Sequence, residues 1–127
     1  MLLMSKTILI GIAGLIGTLL RYWLSAIVAR QSGETFPWGT LVVNVVGCLI
    51  AGAVFHLTEE RAVFNPTLRT VILIGLLGGF TTFSSYGLQT FALLKDGAFG
   101  LATLNLVLSN VLGVLMVWAG YSLAKAF

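Results

Sequence analysis

The chain has 127 residues, of which 58% are hydrophobic and 9% charged, with a mean hydropathy of +1.05; soluble domains carry roughly 25% charged residues. This is the composition of an integral membrane protein. Seven cations against four acids give a net charge of +3, but Lys6, Arg21, Arg30, Arg61, Arg69, Lys95 and Lys125 are scattered, so no cationic patch exists for nucleic acid.

Uncharged runs cover 7–20, 41–58, 70–94 and 97–124. A bilayer-crossing helix needs about 20 residues, so the fold class is an all-α membrane protein of four transmembrane helices. The chain forms a single channel-sized transmembrane domain, with spans at about 4–28, 39–58, 68–94 and 98–125. The first run continues past Arg21 through YWLSAIV to reach spanning length. No convincing small-x-small cleavage site follows it, which disfavours a signal peptide. Pro37 stops the first connection, Pro66 starts the third helix, and no connection is long enough for a soluble domain.

In the second span, WGTLVVNVVGCLIAG carries Asn44. Its bland role is an interhelical hydrogen bond, worth about 0.6–2 kcal/mol in a membrane. Cys48, the single cysteine, excludes an intrachain disulfide and reads as a small packing residue. His56 reads as an interfacial residue, because no second His, Cys or acid stands at metal-ligand spacing. The third span contains GGFTTFSSYG at Gly78 to Gly87. Two glycines, each weakening a helix by about 1 kcal/mol, followed by four hydroxyl residues, predict a break at Gly78 to Thr81. Non-helical backbone survives in a bilayer only where protein or a hydrated cavity satisfies it, so freed carbonyls there could ligate a hard cation. Phe83 and Tyr86 follow at i, i+3 and can either pack or offer electropositive ring edges to an anion. The fourth span carries Asn105, Ser109 and Asn110, with Gly113 and Gly120 roughly along the same small, polar face. In the first span Gly11, Gly14 and Gly17 read as close helix packing.

Glu34, Glu59, Glu60 and Asp96 fall in connections, so no span holds an acid. Proton-coupled export of a cation needs a carboxylate at membrane depth, and its absence points to a passive path for an anion. No Ser, His and acid set supports an enzyme. Four cations lie on the side shared by the termini, against three on the other if Arg21 counts there; this near balance predicts insertion in both orientations. An antiparallel dimer then supplies the inversion that many transporters build from internal repeats.

The stretches GLIGTLLRYW ending at Arg21, Tyr22 and Trp23, GTLVVN at Gly39 to Asn44 and GLLGGFTTFSSY at Gly75 to Tyr86 together resemble the Fluc (CrcB) fluoride channels over essentially the whole chain. The resemblance implies a four-helix subunit with a broken third helix, paired into an antiparallel dual-topology dimer. It implies two fluoride pathways flanking a structural, untransported Na⁺ held by the backbone carbonyls of Gly78 and Thr81 from both subunits. By matching position, Phe83 faces the pore, the Asn44 amide donates to fluoride, and Arg21 sits near a vestibule or snorkels to the interface. Tyr86 stands where the motif has a second phenylalanine, and Gln89 where relatives often have Glu. Either Ser109 or Asn110 faces the pathway. The implied function is a fluoride-selective channel of the bacterial plasma membrane that lets F⁻ leave passively and so lowers cytoplasmic fluoride. Its partners are fluoride, membrane lipid and a second copy, with pairing to a paralogue also open. The alternatives are a small multidrug-type proton-coupled transporter and a structural assembly factor.

Overall fold

The computed structural model describes residues 2–127. In chain order it contains α1 (Leu2–Ser32), α2 (Trp38–Glu59), α3 (Pro66–Thr70), a π-helical stretch (Val71–Leu76), α4 (Leu77–Phe80), α5 (Phe83–Lys95) and α6 (Phe99–Ala126), with no strand among the described residues. Four stretches, Leu3–Ser32, Trp38–Glu59, Pro66–Lys95 and Phe99–Ala126, are long and apolar enough to cross a membrane. The 22 residues of α2 reach about 33 Å at 1.5 Å per residue, enough for the hydrocarbon core.

Local chemistry sets the ends of these elements. Gly33 closes α1 with φ +80°, its N–H donating to the Ala29 carbonyl at 2.9 Å; a side chain would be strained in that left-handed cap. Asn65 caps α3 by accepting from Leu68 N at 2.8 Å, with Pro66 in the first helical turn, where its missing N–H costs nothing.

The third stretch is helical from Pro66 to Phe80 and again from Phe83; Thr81 (φ −82°, ψ 158°) and Thr82 (φ −149°, ψ 112°) are extended between them. The non-helical residues therefore lie beyond Gly78 and Gly79, both of which are helical. Packing overrides the low helix propensity of the glycines. A Cβ on Gly79 would overlap the Gly14 carbonyl, and one on Gly17 would overlap the Leu76 carbonyl and approach Phe80 N to 2.9 Å. The Gly-rich face of α1 thus lies against α4 backbone to backbone, except at Gly11, which has no neighbour within 4 Å.

A similar contact joins α2 to α6. A Cβ on Gly120 would overlap the Leu49 carbonyl, and one on Gly52 would overlap the Val117 carbonyl. Such close approach gives dispersion contact where lipid removes the hydrophobic drive between helices. A small core of Val43, Leu77 and Phe80, with Leu24, Val46 and Leu73 packed on it, ties α2 to the third stretch. Elsewhere α1 and α6 turn large apolar side chains outward, among them Leu15, Val114 and Trp118.

At one end of the α2–α6 pair His56 is buried, with Nδ1 3.0 Å from a Glu60 carboxylate oxygen and its ring edge-on to Tyr121. The Tyr121 hydroxyl donates to the other Glu60 oxygen. That hydrogen bond, more than the nearby His56 and Lys125, holds the Glu60 carboxyl below its ordinary value of 4.5. The Tyr121–Glu60 hydrogen bond thus ties two helix ends with His56 packed against both partners, and Arg69 pairs with Glu59 across the next connection.

The α2–α6 contact yields a direct expectation. Gly120→Val should lower stability by about 2–3 kcal/mol through overpacking, whereas Gly100→Ala, with open space around it, should stay within about 1 kcal/mol of the parent. Thermal unfolding in detergent compares the two.

Candidate functional site

Two extended residues in a membrane-spanning stretch pose an accounting problem, since each unsatisfied backbone group away from water costs on the order of several kcal/mol. The Asn44 side chain from α2 solves it for Thr82. Its Nδ2 donates to the Thr82 carbonyl at 3.0 Å, and its Oδ1 accepts from Thr82 N at 2.8 Å. The amide replaces a stretch of backbone ladder. Thr82 in turn caps α5, its hydroxyl accepting from Ser85 N at 3.2 Å, while the Thr81 hydroxyl and amide both donate to the Leu77 carbonyl, at 2.8 and 2.9 Å.

This arrangement frees acceptors. Because Thr82 N–H turns to Asn44, the Gly78 carbonyl loses the donor a continuous helix would provide. The Thr81 carbonyl faces α1 and accepts from Arg21 Nη1 at 3.3 Å. Arg21 is therefore turned inward at the interruption. Its guanidinium also lines a broad cavity of about 910 Å³, together with Ser25, Thr82, Ser85 and Gln89, while Glu34 and Asp96 border the same space from the connections.

On the other face of Thr82 lies a second cavity of about 400 Å³, bordered by Asn44, Gly78, Phe83, Tyr86, Ser109 and Asn110 among others. Thr82 lines both spaces, so the clasped residue borders each of them. Tyr86 is buried, and Asn110 Nδ2 donates to its phenolic oxygen at 3.1 Å. Phe83 stands 5.5 Å from Tyr86, ring centre to ring centre, at 52°, yet is 82% exposed. The two aromatics thus diverge: one is fixed inside the chain and one lies at its surface.

Below Tyr86 a chain of hydrogen bonds joins α5 to α6. Thr90 Oγ1 donates to the Tyr86 carbonyl at 2.7 Å, Asn105 Nδ2 donates to Thr90 Oγ1 at 2.9 Å, and Ser109 Oγ donates to Asn105 Oδ1 at 3.3 Å. Asn105 is among the most completely buried side chains. It braces the aromatic position from beneath.

The fold and this site define a class: a multi-pass membrane protein whose polar groups gather around a non-helical point in one span, with no group of three or more His, Cys, Asp or Glu among the described residues that could hold a metal ion by side chains. Residues 8–121 match the model of the CrcB-like protein, Camphor Resistance (CrcB) family, and the chain belongs to that family. A protein of Opitutus terrae named a fluoride-specific ion channel FluC is 50% identical over 120 residues, covering 93% of this chain and 91% of its own. Proteins of the same name from Geobacter sp. strain M21 and Paramagnetospirillum magneticum are 42% and 48% identical, covering 97% and 89% of this chain and 99% and 90% of their own.

Of the residues singled out in the sequence, Asn44, Phe83, Tyr86, Ser109 and Asn110 border one cavity, as do Gly78 and Thr81. Arg21 stands on the other side and reaches Thr81. Sequence reasoning counted Thr82 among the hydroxyl residues at the break but missed it as the cap of α5, although a threonine directly before a helical run is a recognisable cap signal. It also missed the Thr90–Asn105 brace, whose partners are 15 residues apart on separate helices and share no local signature.

If Asn44 holds Thr82 as described, Asn44→Leu leaves a backbone N–H and a C=O unpaired and should cost about 2–6 kcal/mol, at roughly 1–3 kcal/mol per orphaned group. Asn110→Leu, at an exposed position, should cost much less. Denaturation in detergent checks the difference.

Proposed function

We propose that the chain is a fluoride-selective ion channel of the cell membrane, passing F⁻ passively out of the cell without a chemical step. The observation that carries this reading is the 400 Å³ cavity, bordered by amide, hydroxyl and aromatic groups and by no acid or base. It is supported by the names of the relatives above. Asn44 Nδ2 has two hydrogens and one protein acceptor, so its second N–H is free for an anion. Fluoride holds its water strongly, so a path must replace that water with donors while apolar walls exclude bulk solvent.

The working unit in this reading is an antiparallel dual-topology dimer, with the interruption at Thr81 and Thr82 as the break of the third helix. Two features support it. The cations are nearly balanced between the two sides, and Phe83, Leu88 and Phe91 leave an apolar face of α5 exposed that a second copy, or a paralogue, would cover. In such a pair the Gly78 and Thr81 carbonyls of both subunits would hold a structural Na⁺. Hard oxygen donors suit that ion, the Gly78 carbonyl is without its helical donor, and the Thr81 carbonyl already attracts a cationic group, Arg21. The ion would supply fixed positive charge near the path. The competing proton-coupled exporter needs a carboxylate at depth, and Glu34 and Asp96 stand only at the connections.

Fluoride-electrode recording from proteoliposomes tests the reading. The parent should release fluoride but not chloride, and an imposed proton gradient should not drive the flux. Phe83→Ile should abolish most of the flux with an unchanged elution profile. Release driven by a proton gradient, or a fully conducting Phe83→Ile protein, would contradict the assignment.

A further inference from the structure

We propose that Tyr86 presents its phenolic proton to the permeating anion, so that position 86 supplies a hydrogen-bond donor in addition to a ring edge. The inference rests on the fluoride-channel reading and names a recognition group within the same site.

The argument begins with the amide of Asn110. Its Nδ2 lies 2.7 Å from the Leu106 carbonyl; an amide oxygen in that place would set two acceptors against each other, so the orientation of the amide is fixed. The same nitrogen is 3.1 Å from the Tyr86 phenolic oxygen. An amide nitrogen carries two hydrogens, and both are now assigned. The Tyr86 oxygen must accept the second, which leaves its own proton directed elsewhere.

No hydrogen bond to a protein acceptor takes up that proton among the described residues. Tyr86 is 8% exposed and borders the 400 Å³ cavity with Asn44 and Ser109. A buried hydroxyl proton without an acceptor is costly, and a bound acceptor recovers that cost. The neighbouring groups do not supply one. The Asn44 oxygen accepts from Thr82 N, the Thr82 carbonyl accepts from Asn44 and the Ser109 hydroxyl donates to Asn105; none of these oxygens is hydrogen-bonded to the Tyr86 hydroxyl. Among the described residues bordering the cavity, the Tyr86 O–H and one Asn44 N–H are donors without a protein acceptor, and the Gly78 carbonyl, freed from the helical ladder, makes no hydrogen bond to either.

Two donors with no competing acid favour an anion, and a donor held by a second hydrogen bond needs little reorientation to receive it. Hydrogen bonds to an ionised partner are short and strong. A small anion gains more from them than a large one, because the charge comes closer to the proton. Asn110 is then a positioning residue, and Tyr86 the group that touches the ion.

The test places 3-fluorotyrosine at position 86 of the full chain and follows its fluorine resonance during titration with sodium fluoride, with sodium chloride as the control. In parallel, fluoride efflux is measured for the parent, Tyr86→Phe and the 3-fluorotyrosine protein, with matching elution profiles. The inference expects a saturable shift with fluoride and none with chloride. It also expects Tyr86→Phe to conduct with a half-saturating fluoride concentration raised about tenfold or more, and the more acidic fluorinated phenol to lower it below the parent. A resonance indifferent to fluoride, or a Tyr86→Phe protein that saturates like the parent, would overturn the inference. A saturable shift in the 3-fluorotyrosine protein, with neither it nor the parent conducting, would uphold the donor and reject the channel reading.

Discussion

The side-chain amide of Asn44 does for Thr82 what a helix would otherwise do, and the rest of the site depends on that substitution. Extended backbone is excluded from the bilayer interior unless its N–H and C=O are paired. Asn is the residue that can pair both at once, since its amide copies the donor and acceptor of a peptide group. Asp would lose the donor and bring a charge; Leu would lose both. With Thr82 held, α5 can begin at Phe83 with a capped N-terminus, and the preceding carbonyls are released from the helical ladder.

The clasp works only because the surrounding frame is tight. Gly14 and Gly17 on α1 accept α4 and the π-helical stretch at backbone distance, while Gly52 and Gly120 do the same for α2 and α6. The first contact sets the position of the helix end before the interruption, and the second sets the position of Asn44 relative to Ser109 and Asn110. The π-helical stretch Val71–Leu76 adds a residue to the turn on the α1 side, a distortion common near functional sites. Arg21 then closes the arrangement from α1 by donating to the Thr81 carbonyl.

Much of this was legible in the sequence, for identifiable reasons. Charge spacing located the four apolar stretches, because a charge in the hydrocarbon is expensive wherever it falls. GTLVVN and GGFTTFSSYG marked the site, because polar residues inside an apolar run need partners. The exact place of the non-helical backbone was not legible. Gly78 and Gly79 have poor helix propensity, but Gly79 is there to let α1 approach, and the chain leaves the helix only where Asn44 can receive it. Propensity is local and the clasp spans 38 residues. The same limit hid the Asn110–Tyr86 pairing, which depends on the register between α5 and α6. The sequence reading of His56 as an interfacial residue did not anticipate its burial against Glu60 and Tyr121, whose own hydrogen bond joins the two helix ends.

Amide hydrogen exchange in lipid nanodiscs tests the central claim, that Thr82 is held by a side chain as firmly as by a helix. The account predicts that the Thr82 amide exchanges as slowly as the amides in the middle of α5, although it lies outside any helix and borders two cavities. Exchange as fast as that of Gly33 or Gly97 in the connections would contradict it.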